Sequence, residues 1–354
     1  MRAEQLETPA LVVDMDALEE NNRAMRRLLE GTGIALRPHY KSHKCPYLAR
    51  LQIREGAKGI TCAKLGEAED LVLEGIEDIL IANQIVDPAK IARLAVLAKR
   101  CRLAVCVDDT DNVRALSSAA EAVGAILHCL VEYDVGMRRC GARTNEAFLA
   151  LAKAVEAAPG LQFEGIQAYA GNLSHEEDRA VRLREAEAVE GRLRGLVAFL
   201  AENGVIVREV SGVSTGTVEF KRRGSVYTEI QAGSYLFMDA AYARLDPGFR
   251  HALYVYATVV STSGGRVVTD AGMKSCATDQ GAPVYEAYPT AVVSMSEEHA
   301  AFDAAPEEPC RIGQRLRAIP GHGCTTVNLY DKIHLMRGGV IEACVPVTSR
   351  GKSW

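Results

Sequence analysis

Short apolar runs alternate with longer amphipathic stretches through the first two-thirds of the chain. Runs at 34–36, 59–62, 78–82, 103–107, 126–133, 163–169, 207–211 and 228–232 are rich in Ile, Val, Leu and Cys and predict strands. Between most of them lie segments such as KLGEAEDLVLEG, PAKIARLAVLAKR and NEAFLALAKAVEAA, whose apolar residues recur at i, i+3 and i+4, the spacing of one helix face. Eight strand-then-helix units over about 220 residues predict a (β/α)8 TIM-type barrel. Periodicity does not show closure, so a doubly wound open sheet is the second reading. Beyond residue 245 the helical period fades. LYVYATVVS, RVVTDAG, QRLRAIPG and VIEACVPVTSRG are separated by Gly, Pro and Asp turns, which predicts a smaller, mostly antiparallel β domain. The early run ALVVDMD is strand-like as well and is expected to pair with that late domain. The expected division is a barrel over 15–243 and a β domain made of 1–14 plus 244–354.

Bulk properties narrow the field. A chain of 354 residues accommodates one large domain and a smaller one. A net charge of −5, from 41 basic and 46 acidic residues, argues against nucleic acid as the main partner. No apolar run approaches the roughly 20 residues that span a bilayer, and the N-terminal segment lacks a cationic region followed by an apolar one. The expected location is the cytoplasm. Ten cysteines are scattered rather than paired as CxxC. Cys62, Cys101, Cys106, Cys129 and Cys344 stand in apolar surroundings and are expected to be mostly buried thiols.

In a barrel of this kind chemistry collects at the C-terminal ends of strands. The stretch ALRPHYKSHKCP puts Lys41 there beside His39, His43 and Lys44; a solvated basic turn and a reactive amine both fit that cluster. Such an amine forms a Schiff base with a carbonyl cofactor. GVSTGT (212–217) follows the seventh strand and QAGSY (231–235) the eighth, and their amides and hydroxyls suit a phosphate. Arg139 in GMRRCG is a candidate for a cofactor or substrate oxygen, while Arg138 reads as a surface side chain. Tyr169 ends the sixth strand. His175 and His299 lie in acidic surroundings and read as structural or solvated. In PGHGCTTVNLYD, His322 and Cys324 stand two apart; in an extended segment both would face one way and could share one metal, zinc being preferred for a sulfur ligand.

Taken together, RPHYKSHK, GEAE, VEYDVGMRRCG, GIQAY, STGT, YTEIQAGSYLFMDAAY, DAGMKS and PGHGCTTVNLYD resemble, in that order, the D-threonine aldolase and D-serine dehydratase family. These are fold-type III pyridoxal phosphate enzymes, alanine racemase-like, in which a barrel precedes a β domain. The resemblance covers nearly the whole chain. It implies that Lys41 holds pyridoxal phosphate, that Tyr169 faces the pyridine nitrogen and that Arg139 approaches the phenolic oxygen. It assigns Thr215, Gly216, Thr217, Gly233 and Ser234 to the phosphate, and His322 and Cys324 to a divalent metal: zinc first, manganese or magnesium as alternatives. Homodimerisation is a further expectation of the family.

Two departures bear on substrate. Aldolases resemble one another in H-x-D at the metal pair and dehydratases in H-x-C, and this chain has HGC. Where family members carry a histidine after the QAY tyrosine, this chain has Ala170. The resemblance therefore implies a pyridoxal phosphate- and metal-dependent lyase acting on D-β-hydroxy-α-amino acids. The first expectation is a D-serine or D-threo-3-hydroxyaspartate type of dehydratase, releasing a 2-oxo acid and ammonia. The alternative is retro-aldol cleavage to glycine and an aldehyde. An amino-acid racemase and a non-catalytic pyridoxal phosphate carrier rank lower. The racemase needs no metal, and the carrier lacks the β domain.

Overall fold

A computed structural model describes residues 1–304 and 310–354. The chain divides into two compact units. One comprises Met1–Arg26, Ser42–Tyr47 and Ser234–Gly351; the other comprises Arg27–Lys41, Leu48–Gly233 and Lys352–Trp354. Strand β1 (Ala10–Asp14) belongs to the first unit, and the next eight strands belong to the second.

Those eight are β2 (Ala35–Leu36), β3 (Ile60–Cys62), β4 (Asp78–Gln84), β5 (Arg102–Val107), β6 (Leu127–Glu132), β7 (Leu161–Ala168), β8 (Glu209–Gly212) and β9 (Glu229–Ile230). Each coincides with a run expected from the sequence. They form one sheet in the order β2-β9-β8-β7-β6-β5-β4-β3, every pairing parallel. The free edges of β2 and β3 meet through a parallel bridge between His39 and Thr61, with Thr61 N donating to the Pro38 carbonyl at 3.0 Å. The sheet closes, so the barrel holds and the open doubly wound sheet does not. The strands read as apolar runs because helices cover the outer face of a parallel sheet while side chains fill its inside; β5 (RLAVCV) is buried from its second residue on.

The intervening helices are stopped and started by local chemistry. Asp109 caps helix Thr110–Val123 by accepting from the amides of Asp111 and Asn112 at 2.8 and 2.9 Å, and Gly124, at φ 63°, ends it. Asp87 caps Pro88–Leu97 with Pro at its first turn, and Thr144 caps Asn145–Ala157.

The first unit carries β1 together with β10 (Leu253–Ser261), β11 (Arg266–Thr269), β12 (Val284–Tyr285), β13 (Ser294–Met295), β14 (Ala300–Asp303), β15 (Arg315–Ile319), β16 (Lys332–Arg337) and β17 (Val340–Pro346). Their backbone order is β13-β14-β11-β10-β1-β16-β17, with β15 bonded to β10 and β12. Among the described residues all these pairings are antiparallel except β1 with β16. The sheet is thus mixed and mostly antiparallel, and β1 joins it as expected from the strand-like run ALVVDMD. Leu6, Val12, Tyr254, Tyr256 and Ile319 form a core on one face. Strands β12 to β14 are too short to show a period, whereas Lys332 to Leu335 at the start of β16 (KIHLMR) alternate polar and apolar, a period the sequence reading passed over. Cys344 is exposed on β17 and Cys101 half-buried, unlike Cys62, Cys106 and Cys129; an edge strand with its outer face in solvent explains the first. Among the described residues, no helix is long and apolar enough to cross a membrane.

Candidate active site

In the barrel unit, Lys41 lies in the short turn Tyr40–Ser42 that follows β2. It is exposed, whereas its neighbours His39, His43 and Lys44 are buried. The His39 Nδ1 accepts from the Lys41 amide at 3.3 Å, and the His43 Nδ1 from the Cys45 amide at 3.2 Å. Lys44, held at φ 48°, donates its Nζ to the Ser349 carbonyl at 3.4 Å. Three of the four basic side chains therefore shape the turn and one amine is left on its surface, an outcome a merely solvated cluster does not require.

The Lys41 Nζ is 5.8 Å from the Tyr169 ring centroid, and the Arg139 guanidinium carbon is 6.0 Å from the same centroid. The Tyr169 hydroxyl pairs with Ser174 Oγ at 3.1 Å, which fixes the ring's tilt. Arg139 reaches Glu132 at 3.6 Å, and buried Glu132, at the end of β6, accepts from Gln84 Nε2 at 2.6 Å. Burial raises the Glu132 carboxyl above its ordinary range against the opposing pull of Gln84 and Arg139. Arg138 is exposed at φ 53°, in a loop that Asp134 Oδ1 stitches by accepting from the amides of Gly136 and Arg138, both at 3.0 Å.

The turn after β8 begins at Val213, a buried β-branched residue forced to φ 68°. That conformation is strained for valine and marks a turn the surrounding structure over-determines. Ser214 to Thr217 fold back on themselves: the Thr217 amide donates to the Ser214 carbonyl at 3.1 Å, and the Ser214 amide to Thr217 Oγ1 at 3.2 Å. Thr215, Gly216 and Thr217 are buried there, as is Gly233 after β9. An exposed amine at a strand end and a guanidinium, each within about 6 Å of one aromatic ring, and a strained hydroxyl-rich turn on the same unit form a donor set that fits pyridoxal phosphate.

In the β unit, His322 and Cys324 lie in PGHGCTTV, but the segment is not extended as the spacing suggested. His322 is the extended residue before helix Gly323–Val327, and Cys324 lies in that helix's first turn. Glycines at 321 and 323 and the hydroxyls of Thr325 and Thr326, which bond the His322 carbonyl at 3.4 and 2.8 Å, favour the turn. The pair nevertheless meets: the imidazole hydrogen-bonds the Cys324 sulfur. Burial alone would lower the His322 pKa; the bond to Cys324 and its charge, then Asp279, outweigh it and raise it to about 9. Its Nδ1 is 2.6 Å from Asp279 Oδ2. Ser234, expected at a phosphate, has its Oγ 3.8 Å from Cys324 Sγ. The Cys324 thiol also donates to Ser42 Oγ at 3.7 Å, and Ser42 follows Lys41 in the chain. Among the described residues no group of three His, Cys, Asp or Glu side chains is placed to hold a metal. The imidazole and thiol fit an open two-donor site that solvent or substrate completes, not a closed structural one.

Glu132, Gln84, Asp279 and Ser42 escaped the sequence reading. Glu132 left a trace, a carboxylate in the apolar run ILHCLVEY; Asp279 left none, being 43 residues from the histidine it binds.

Comparison with known proteins agrees with this fold. The alanine racemase N-terminal domain model matches residues 13–241, and the putative serine dehydratase domain model matches 252–336. D-threonine aldolase from Arthrobacter sp. is 39% identical, over 99% of this chain and 94% of its own. D-threo-3-hydroxyaspartate dehydratase from Delftia sp. (strain HT23) is 28% identical, over 91% of this chain and 92% of its own. Among solved structures, D-threonine aldolase from Filomicrobium marinum superposes with a TM-score of 0.96 at 37% identity, covering 100% of this chain and 98% of its own. The D-threo-3-hydroxyaspartate dehydratase has been solved with a histidine replaced by alanine, and with a cysteine two positions further on replaced, in a metal-free form. Those two structures give TM-scores of 0.89 and 0.87 at 26% identity, each covering 98% of this chain and 96% and 99% of its own.

Proposed function

The chain belongs to the alanine racemase N-terminal domain family, a family of pyridoxal phosphate enzymes, and on that premise we propose that it is a lyase cleaving D-β-hydroxy-α-amino acids between Cα and Cβ, to glycine and an aldehyde. The observation that carries this reading is the end-to-end likeness to D-threonine aldolases in both sequence and fold. The likeness to the dehydratase is lower on both measures, so the aldolase alternative moves ahead of dehydration.

In this reading Lys41 supplies the amine that anchors the cofactor, Tyr169 and Arg139 orient its ring, and Thr215, Gly216, Thr217, Gly233 and Ser234 grip its phosphate. Bound there, pyridoxal phosphate supplies an electron sink for the electrons released at Cα. His322 and Cys324 hold a divalent cation, zinc first, which supplies Lewis acidity toward the substrate hydroxyl. Supporting the cofactor roles are the exposure of the Lys41 amine, its 5.8 Å separation from the Tyr169 ring and the strained turn at Val213. The hydrogen-bonded imidazole and thiol support the metal role. We further propose a cytoplasmic homodimer, checked by light scattering, where a mass of one protomer would overturn it.

Dehydration remains the second reading because of one side chain: Cys324 stands two residues after His322, the spacing of the histidine and cysteine altered in the dehydratase structures. Incubation of the metal-loaded holoenzyme with D-threonine, D-serine and D-threo-3-hydroxyaspartate separates the two. Glycine plus an aldehyde is expected. Ammonia plus a 2-oxo acid would replace the first reading by the second, and neither product from any substrate would remove both.

A further inference from the structure

The imidazole of His322 has two nitrogens, and the β unit determines which one a ligand meets. Asp279 Oδ2 is 2.6 Å from Nδ1, and the other carboxylate oxygen, Oδ1, accepts from the Thr325 hydroxyl at 2.7 Å. One carboxylate thus grips the loop at two points, three residues apart. A second acid holds the segment between them: buried Asp239 accepts from the Gly323 amide through Oδ2 at 2.8 Å, and from the Tyr242 amide through Oδ1 at 2.9 Å. Residues 322 to 325 are therefore pinned by side chain, backbone and hydroxyl in turn. With Nδ1–H donated to a carboxylate, Nε2 is the nitrogen left to offer a lone pair once an incoming cation displaces its proton. Asp279 is not itself a third ligand, because among the described residues no three such side chains converge on one point.

We propose that Asp279 is the positioning residue of the His322–Cys324 pair: its carboxylate fixes the imidazole's tautomer and tilt, so that Nε2 and the sulfur are presented together to a divalent cation. This rests on the metal reading given above. A carboxylate behind a metal-binding histidine raises the basicity of the ligating nitrogen and removes the freedom of the ring, and losing such a partner weakens metal affinity by roughly 10- to 100-fold.

Cobalt(II) titration of the metal-stripped full chain reads this without reference to turnover, because a thiolate ligand gives a sulfur-to-cobalt charge-transfer band in the near ultraviolet. Wild type is expected to develop the band, and Cys324→Ala to lose it. Asp279→Ala should reach the same band at saturation with a dissociation constant about 10- to 100-fold weaker, and Asp279→Asn, which still accepts from Nδ1–H, should recover part of the loss. Unchanged affinity in both Asp279 variants, with melting temperatures equal to wild type, would overturn the positioning role while leaving the metal pair intact. A band missing from Asp279→Ala even at the highest cobalt concentration, with the melting temperature of wild type, would make Asp279 indispensable to cobalt–thiolate binding rather than a positioning partner and overturn the proposal too. A wild-type protein that shows no band removes the metal reading itself.

Discussion

In the proposed reading, Lys41 and Cys324 carry separable parts of the chemistry. Replacing Lys41 by alanine deletes the amine without touching the bonds that shape its turn, which run through the backbone amide to His39 and through Lys44 to Ser349. The expected outcome is a protein with unchanged melting temperature that no longer develops the visible band, near ~420 nm, of a cofactor joined to a lysine; absorption spectra of wild type and Lys41→Ala check it. Cys324→Asp tests the soft donor. A carboxylate in place of sulfur favours harder ions, so the variant's preference should move from zinc toward manganese, on the order of tenfold in relative affinity by competition titration. Both residues could be singled out in the sequence because each stands in a dense local motif. Asp279 was not, since its partnership with His322 is made by folding rather than by spacing.

At the scale of elements, strands ending where they do place the chemistry. β7 and β8 end together, Ala168 opposite Gly212, and from those ends emerge Tyr169 and the turn at Val213. Gly212 allows that approach: a Cβ there would lie 2.1 Å from the Ala168 carbonyl oxygen and 2.9 Å from the Tyr227 ring. Gly212→Ala must push the two strands apart, and a loss on the order of 3 kcal/mol in chemical denaturation is expected, with weakened cofactor retention. Gly191, exposed in helix Arg179–Glu202 with nothing within 4 Å of an added Cβ, is the contrast. Gly191→Ala should raise stability by about 0.5–1 kcal/mol. The eight barrel strands were readable because both their faces are buried, leaving uninterrupted apolar runs. Strands β12 to β14, two to four residues long, offered no such run, and the extended reading of His322 to Cys324 gave way to a helical turn built on threonine hydroxyls.

Across the whole barrel, charged side chains from different strands form an internal layer. Arg37, fully buried, binds Glu229 through Nε at 3.1 Å and Asp78 through Nη1 at 2.7 Å. Glu229 also accepts from Lys58 at 3.0 Å and from Ser211 at 2.6 Å. Arg102 links Asp78, Glu209 and Glu164, and Glu164 meets His128 at 2.5 Å. Strands separated by up to two hundred residues contribute to it, so no sequence window displays it. Removing Arg37 alone, as Arg37→Met, strands two carboxylates and should cost about 3–5 kcal/mol; removing Glu229 as well, in Arg37→Met/Glu229→Met, should recover part of that. The same layer dictates how the protein meets acid. Burial alone would raise the Glu229 and Asp78 carboxyls, but for Glu229 the charges of Arg37 and Lys58, and for Asp78 the Arg37 bond and charge, hold both below their ordinary values. A carboxyl depressed in the folded state binds its proton more readily when unfolded. Its stabilisation is therefore complete above the ordinary value, 4.5 for Glu229 and 3.8 for Asp78, and drains away as pH falls toward the folded-state value. Urea unfolding between about pH 7 and pH 3 should show a nearly level upper limb for these groups and then a fall of up to roughly 1.4 kcal/mol per pH unit for each carboxyl that titrates. Glu229→Gln removes one of them: it should be less stable at neutral pH yet fall less steeply below pH 4.5. A variant whose acid limb is as steep as wild type would place the acid sensitivity outside this layer.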